Sequence, residues 1–167
     1  MKHVLQYCGQ ALVYALFGGL VWYFSSAPQY INLASGKAVI KLSFAHAAQH
    51  VSACRTRSPA ELQKLAPNMR QARECPRERL PVYVELDIDG RRALSESLPP
   101  TGLSGDGASK IYRRLTVSAG THTINVRLRE SARSEGFDFA VMRVVNLADR
   151  QNFSIDFNLP KGGFILE

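Results

Sequence analysis

Hydrophobic and polar positions fall into two regimes along this chain. Residues 4–24, VLQYCGQALVYALFGGLVWYF, run for 21 positions without a charged side chain. At about 1.5 Å per residue, a helix of that length covers roughly the 30 Å hydrocarbon core of a bilayer. Trp22, Tyr23 and Phe24 gather at one end, where amphipathic rings suit the headgroup level, and Lys2 stands at the other. From residue 38 onward the apolar positions instead recur in short blocks at every second residue, the period of a strand with one buried face.

Those blocks predict a series of strands. In AVIKLSF (38–44), Ile40, Leu42 and Phe44 alternate with Lys41 and Ser43. VYVELDID places Val82, Val84, Leu86 and Ile88 on one face and Tyr83, Glu85 and Asp87 on the other. Asp89-Gly90 then predicts a type I′ hairpin turn, with RALSESL returning. KIYRRLTV, Ala119-Gly120 and THTINVRLR read as a second hairpin, with His122, Ile124, Val126 and Leu128 inward. Segments 138–147 and 152–159 read as a third across Ala148 to Gln151, with Phe153, Ile155, Phe157 and Leu159 facing the core, and GGFILE predicts a short edge strand. Seven or eight strands at roughly ten-residue spacing predict an immunoglobulin-like β-sandwich. The fold class expected is mainly β: an N-terminal transmembrane helix, then that sandwich with a short helical insertion. The boundaries are an anchor at 1–25, a linker at 26–37 and a sandwich at 38–167, with 45–80 as the irregular insertion.

Within the insertion, AHAAQHVSACR is Ala-rich and predicts a short helix. Ser58-Pro59-Ala60-Glu61 carries a helix start, with a capping Ser, Pro at the first helical position and Glu three residues on. The helix it heads is expected to end at Pro67, whose ring removes a donor.

The apolar stretch has a competing reading as a cleaved signal peptide, since Ser25-Ser26-Ala27 imitates a cleavage site. Its length exceeds the roughly 7–15 residues of a signal core, and Pro28 follows the only convenient cut, so a retained anchor is expected. Positive charge near the span lies on its N-terminal side, with nothing basic afterwards until Lys37. That favours a single-pass bacterial inner-membrane protein, N-terminus cytoplasmic and C-terminal domain periplasmic. Ala11, Ala15 and Gly19 repeat four apart on one face and would let a partner helix approach closely, helped by the amides of Gln6 and Gln10.

The formal net charge of +7 and pI near 9.6 would suggest nucleic acid for a soluble chain. Beside a bilayer, the same charge faces anionic lipid or an acidic protein, and no nucleic-acid partner is expected. The basic positions concentrate at Arg55, Arg57, Lys64, Arg70, Arg73, Arg77 and Arg79, against Glu61, Glu74 and Glu78. Cys8 lies in the span, and the remaining even pair, Cys54 and Cys75, predicts a disulfide in an oxidising compartment, worth about 3 kcal/mol.

His46, His50 and Cys54, each four apart, are the sharpest chemical candidates, because imidazole and thiolate ligate copper and zinc. On a helix the first and third would lie about 12 Å apart, so one ion would need a pair such as His50 and Cys54 with Cys75 or Met69 brought in by the fold. On a strand, residues four apart are about 13 Å apart and no pair works. The structural disulfide is the preferred alternative, with no cofactor. GLSGDG (102–107) lacks the following helix and Lys of a phosphate loop, and Asp87-Ile88-Asp89-Gly90 lacks the later ligands of a calcium loop. No spaced nucleophile, base and orienting group emerges, so an enzyme is not expected.

One anchor followed by a β-rich domain of this size resembles small accessory proteins of bacterial respiratory complexes, such as the FixH oxidase-assembly family, although that family's Asp-Asp-Tyr-Tyr-Lys segment has no counterpart here. The passage around Ala119-Gly120-Thr121-His122 is similar to the Gly turn of PEGA-type sandwich modules. Beside that resemblance, the Ala11/Ala15/Gly19 helix face and the clustered basic charge point to a non-catalytic subunit or assembly factor bound to an integral membrane complex through its helix. The alternatives are a periplasmic copper-handling protein for oxidase biogenesis, or an envelope module that binds an extended peptide at a sheet edge.

Overall fold

The computed structural model describes residues 2–27 and 31–167; Pro28 and the middle of the 26–37 linker lie outside the described residues. The chain divides into a helical unit through Ala34 and a β unit from Ser35 to Glu167.

Helix α1, Lys2–Ser26, takes in the whole apolar run, and its stretch His3–Ser26 is long and apolar enough to cross a membrane. Its large side chains are exposed, Leu5 at 80% and Trp22 at 75%. A helix apolar all round is stable only when lipid or protein covers it, since each such side chain forgoes about 1.5–3 kcal/mol in water.

The β unit is a sandwich. Its strands are β1 (Lys37–His46), β2 (Arg55–Thr56), β3 (Arg73–Glu74), β4 (Val82–Ile88), β5 (Arg91–Leu98), β6 (Ser109–Ser118), β7 (Gly120–Arg129), β8 (Phe139–Leu147), β9 (Asn152–Asn158) and β10 (Gly163–Leu166). One four-stranded sheet has the order β10-β9-β1-β6 and the other β5-β4-β7-β8, while β2 and β3 form a small ribbon. Inward residues of both sheets build one core: Ile40, Leu42, Phe153 and Ile155 from the first, and Val84, Leu86, Val126 and Leu128 from the second. The period-two reading therefore names the buried face of every long strand it covers, with one exception. Leu159, expected inward, is 48% exposed, because the strand ends at Asn158 and its side chain caps the following 3-10 turn, Leu159–Lys161.

Asp89-Gly90 turns as expected, both residues having positive φ (53° and 76°), and β4 pairs with β5. The other two expected hairpins are corrected. β6 pairs with β1, not with β7, and β9 pairs with β1 and β10, not with β8. Between β6 and β7 stands only Ala119, with Gly120 at φ 129°, so the chain turns a corner from one sheet to the other. The turn at 148–151 likewise crosses over: Arg150 N–H donates to Lys37 O at 2.7 Å, and Val39 N–H to Gln151 O at 2.9 Å. β7 instead forms its hairpin with β8, across the loop 130–138.

The insertion also departs from its helical reading. AHAAQHVSACR is not a helix: β1 continues through His46, and His50 bridges to Arg79. Alanine's helix preference is weak beside a strand partner already in place, here Ser109 of β6 opposite His46. Helix α2, Pro59–Gln63, does begin with the expected capping box, but it stops at Gln63, and Pro67 opens a separate 3-10 turn.

Candidate functional site

The insertion folds as an irregular antiparallel ladder. Leu80 N–H donates to Gln49 O at 2.9 Å and Val51 N–H to Glu78 O at 3.1 Å, on either side of the His50–Arg79 bridge. Further out, Arg55 opposes Glu74 and Thr56 opposes Arg73. One step back on that register, Cys54 meets Cys75 in a disulfide spanning 21 residues, as the even cysteine pair predicts. α2 and the Pro67–Met69 turn form the tip.

The base of the ladder is anchored in the sandwich. Ala48 is buried, and the Arg79 guanidinium donates to Ala48 O (2.7 Å) and Asp106 O (3.2 Å), holding the β5–β6 connection. His46 is buried on β1, where its Nε2 is bonded to the Glu130 carboxylate, and its ring packs 4.7 Å from that of Phe157. Gln49 N–H donates to Glu130 O, so one residue serves both the histidine and the ladder.

Five residues were candidates for a metal, and three converge. One ligand nitrogen of His50 and the sulfurs of Cys54 and Cys75 lie within 4.8 Å of one another. His46 is held away by Glu130, and Met69 sits 58% exposed in the tip turn. In the disulfide form the two sulfurs are bonded to each other and are not thiolate ligands.

The basic segment is neutralised in part. Arg55 pairs with Glu61 (2.8 Å) and Glu74 (2.7 Å), Arg57 with Glu74 (2.9 Å) and Arg77 with Asp106 (2.8 Å). The N–H of Ser58 and the Arg55 guanidinium hold the Glu61 carboxyl down at about 2. Arg70 donates to the Leu65 carbonyl at 3.0 Å. Among the described residues, Lys64, Arg70, Arg73 and Arg79 have no carboxylate partner, and only the first three present their charge outward. Sequence counting located the cations but not the acid from residue 106 that enters through the fold.

Compared with known proteins, the chain matches no family model, no curated protein and no solved structure. Its own geometry therefore carries the functional reading.

Two polar clusters escaped the sequence reading. On the outer face of the second sheet, Arg127 reaches Glu85 (2.8 Å) and Asp87 (2.7 Å), and Arg92 joins the same two carboxylates. Arg127 also lies over Phe137, and Arg129 over Tyr83, each guanidinium 4.8 Å from the ring centre. Alternation on β4 and β7 put these residues outward; the pairing of the two strands made them a network.

The second cluster superficially resembles a catalytic triad: Ser118 Oγ is 3.4 Å from His122 Nε2, and His122 Nδ1 is 2.7 Å from Asp89 Oδ2. Nε2 also lies 2.9 Å from Ser118 O, nearer than Ser118 Oγ, so a protonated His122 donates from Nδ1 to Asp89 and from Nε2 to the Ser118 carbonyl. Asp89, ahead of the Ser118 carbonyl, raises the His122 pKa, and His122 in turn lowers that of Asp89. The other Asp89 oxygen accepts from Thr123 N–H at 2.9 Å, so the pair pins the β4–β5 turn to the start of β7.

The expected sheet edges are present as well. β6 ends its sheet with ten residues. An open groove of about 550 Å³ lies across β1, β6 and β9 of that sheet, lined by Phe44, Lys110, Tyr112 and Asp156. The Ala11, Ala15 and Gly19 positions all fall within α1, and a Cβ added at Gly19 meets nothing within 4 Å.

Proposed function

We propose that the chain is a non-catalytic, single-pass membrane protein whose sandwich lies on the periplasmic side, acting as an accessory subunit or assembly factor of an inner-membrane complex. The observation that carries this reading is a membrane-length helix with its apolar side chains exposed, on a chain whose β unit holds a disulfide. The helix needs lipid, and the disulfide suits an oxidising compartment. Within the bilayer, the Ala11/Ala15/Gly19 face would receive a partner helix, while Lys64, Arg70 and Arg73 at the ladder's tip would meet anionic lipid or an acidic partner domain. The respiratory complexes whose accessory proteins share this layout are the first partners to test.

Native purification from a mild detergent tests the reading. Co-purifying integral membrane subunits, lost when Gly19 is replaced by Leu, are expected. A chain that migrates alone after gentle extraction contradicts it.

A further inference from the structure

The insertion ladder brings a soft ligand set together. His50 stands on one strand of it opposite Arg79, and the Cys54–Cys75 bond joins the same two strands four residues further out. A ring nitrogen and the two sulfurs lie within 4.8 Å of one another, and all three residues are partly buried. The Nδ1 atom of His50 is sealed from solvent without a hydrogen-bond partner. Buried polar nitrogens are seldom left so, and imidazole is a common metal ligand.

We propose that reducing the Cys54–Cys75 disulfide opens a three-ligand site, the His50 imidazole with two thiolates, for a thiophilic d10 ion, cuprous copper above all. An external dithiol is the reductant. It passes two electrons and two protons to the disulfide, leaving two thiols, and is itself oxidised to a disulfide. Binding of Cu(I) then displaces both thiol protons to solvent. Thiolate and imidazole select this ion, and a set of three suits it better than zinc, whose closed sites take four protein ligands. A fourth ligand is not at hand: His46 is bonded to Glu130 on β1, and Met69 lies in the exposed tip turn. The charge also fits. One monovalent cation with two thiolates leaves a single negative charge, and the Arg79 guanidinium opposite His50 donates only to backbone carbonyls, so its positive charge is not cancelled.

The proposal is independent of the membrane partner, since metal affinity is read on the isolated chain. The test uses the full chain in detergent with Cys8→Ser, which removes the third thiol. After anaerobic reduction with a phosphine, Cu(I) is titrated against a chromophoric Cu(I) chelator, and circular dichroism follows the strands. The reduced chain should take one equivalent from the chelator, and the oxidised chain none. His50→Ala, which leaves the disulfide in place, should weaken uptake at least about tenfold. The proposal is overturned if the reduced chain takes no copper or loses its strand signal. Equal uptake by His50→Ala, or uptake by the oxidised chain, overturns it as well.

Discussion

At the residue scale, two ionisable side chains act as fasteners. His122 bridges Asp89 and the Ser118 carbonyl, and its pKa is raised. A raised folded-state pKa gives stability that is full below about 6.5 and is lost as pH rises through the raised value. For Asp89, whose pKa is lowered, the contribution holds above about 3.9 and is lost as pH falls through the lowered value. The stability gap between the wild type and His122→Gln should therefore be widest from about pH 4 to 6.5 and narrow in alkali. Denaturant melts across pH check this, and a pH-independent gap would contradict it. Leu42, fully buried, is a simpler case: Leu42→Ala should cost about 2–5 kcal/mol, read from the same melts.

At the element scale, what was legible in the sequence and what was not divide on physical grounds. Alternation marks which side of a strand is apolar, and Leu42, Val84, Leu128 and Ile155 are all buried as it requires. Turn chemistry is local too, so Asp89-Gly90 and the Ser58/Glu61 box were readable. Pairing partners are not local. The link at Ala119-Gly120 looks like a hairpin in sequence, yet it is a corner between sheets, because the face that alternation defines is satisfied either way. The stretch after Phe44 misled for a related reason: its alanines favour helix weakly, while the partners that hold it extended, Ser109 and Arg79, lie far along the chain. The metal candidates show the same limit. Spacing left a His50/Cys54 pair to be completed by Cys75 or Met69, and only the fold could decide for Cys75. Within the ladder, Ser58→Ala removes the acceptor for Glu61 N–H and should destabilise α2 by about 1 kcal/mol, seen as faster hydrogen exchange at residues 59–63 with the sandwich unchanged.

At the scale of the whole molecule, the two units differ in whether their apolar side chains are covered. The β unit buries its apolar face within itself, whereas α1 carries apolar side chains with no cover of their own. Removing the disulfide with Cys54→Ser/Cys75→Ser should cost about 3 kcal/mol and speed hydrogen exchange at the ladder's tip, residues 55–74, while its base and the sandwich core persist. The most direct measurement of the central claim is protease accessibility of the full chain in spheroplasts, combined with membrane fractionation. The 18.5 kDa chain should stay intact with the membrane fraction, and external protease should digest the sandwich without breaking the inner membrane. A shorter chain in the soluble fraction, beginning near residue 28, or a sandwich protected until the membrane is lysed, would contradict the account.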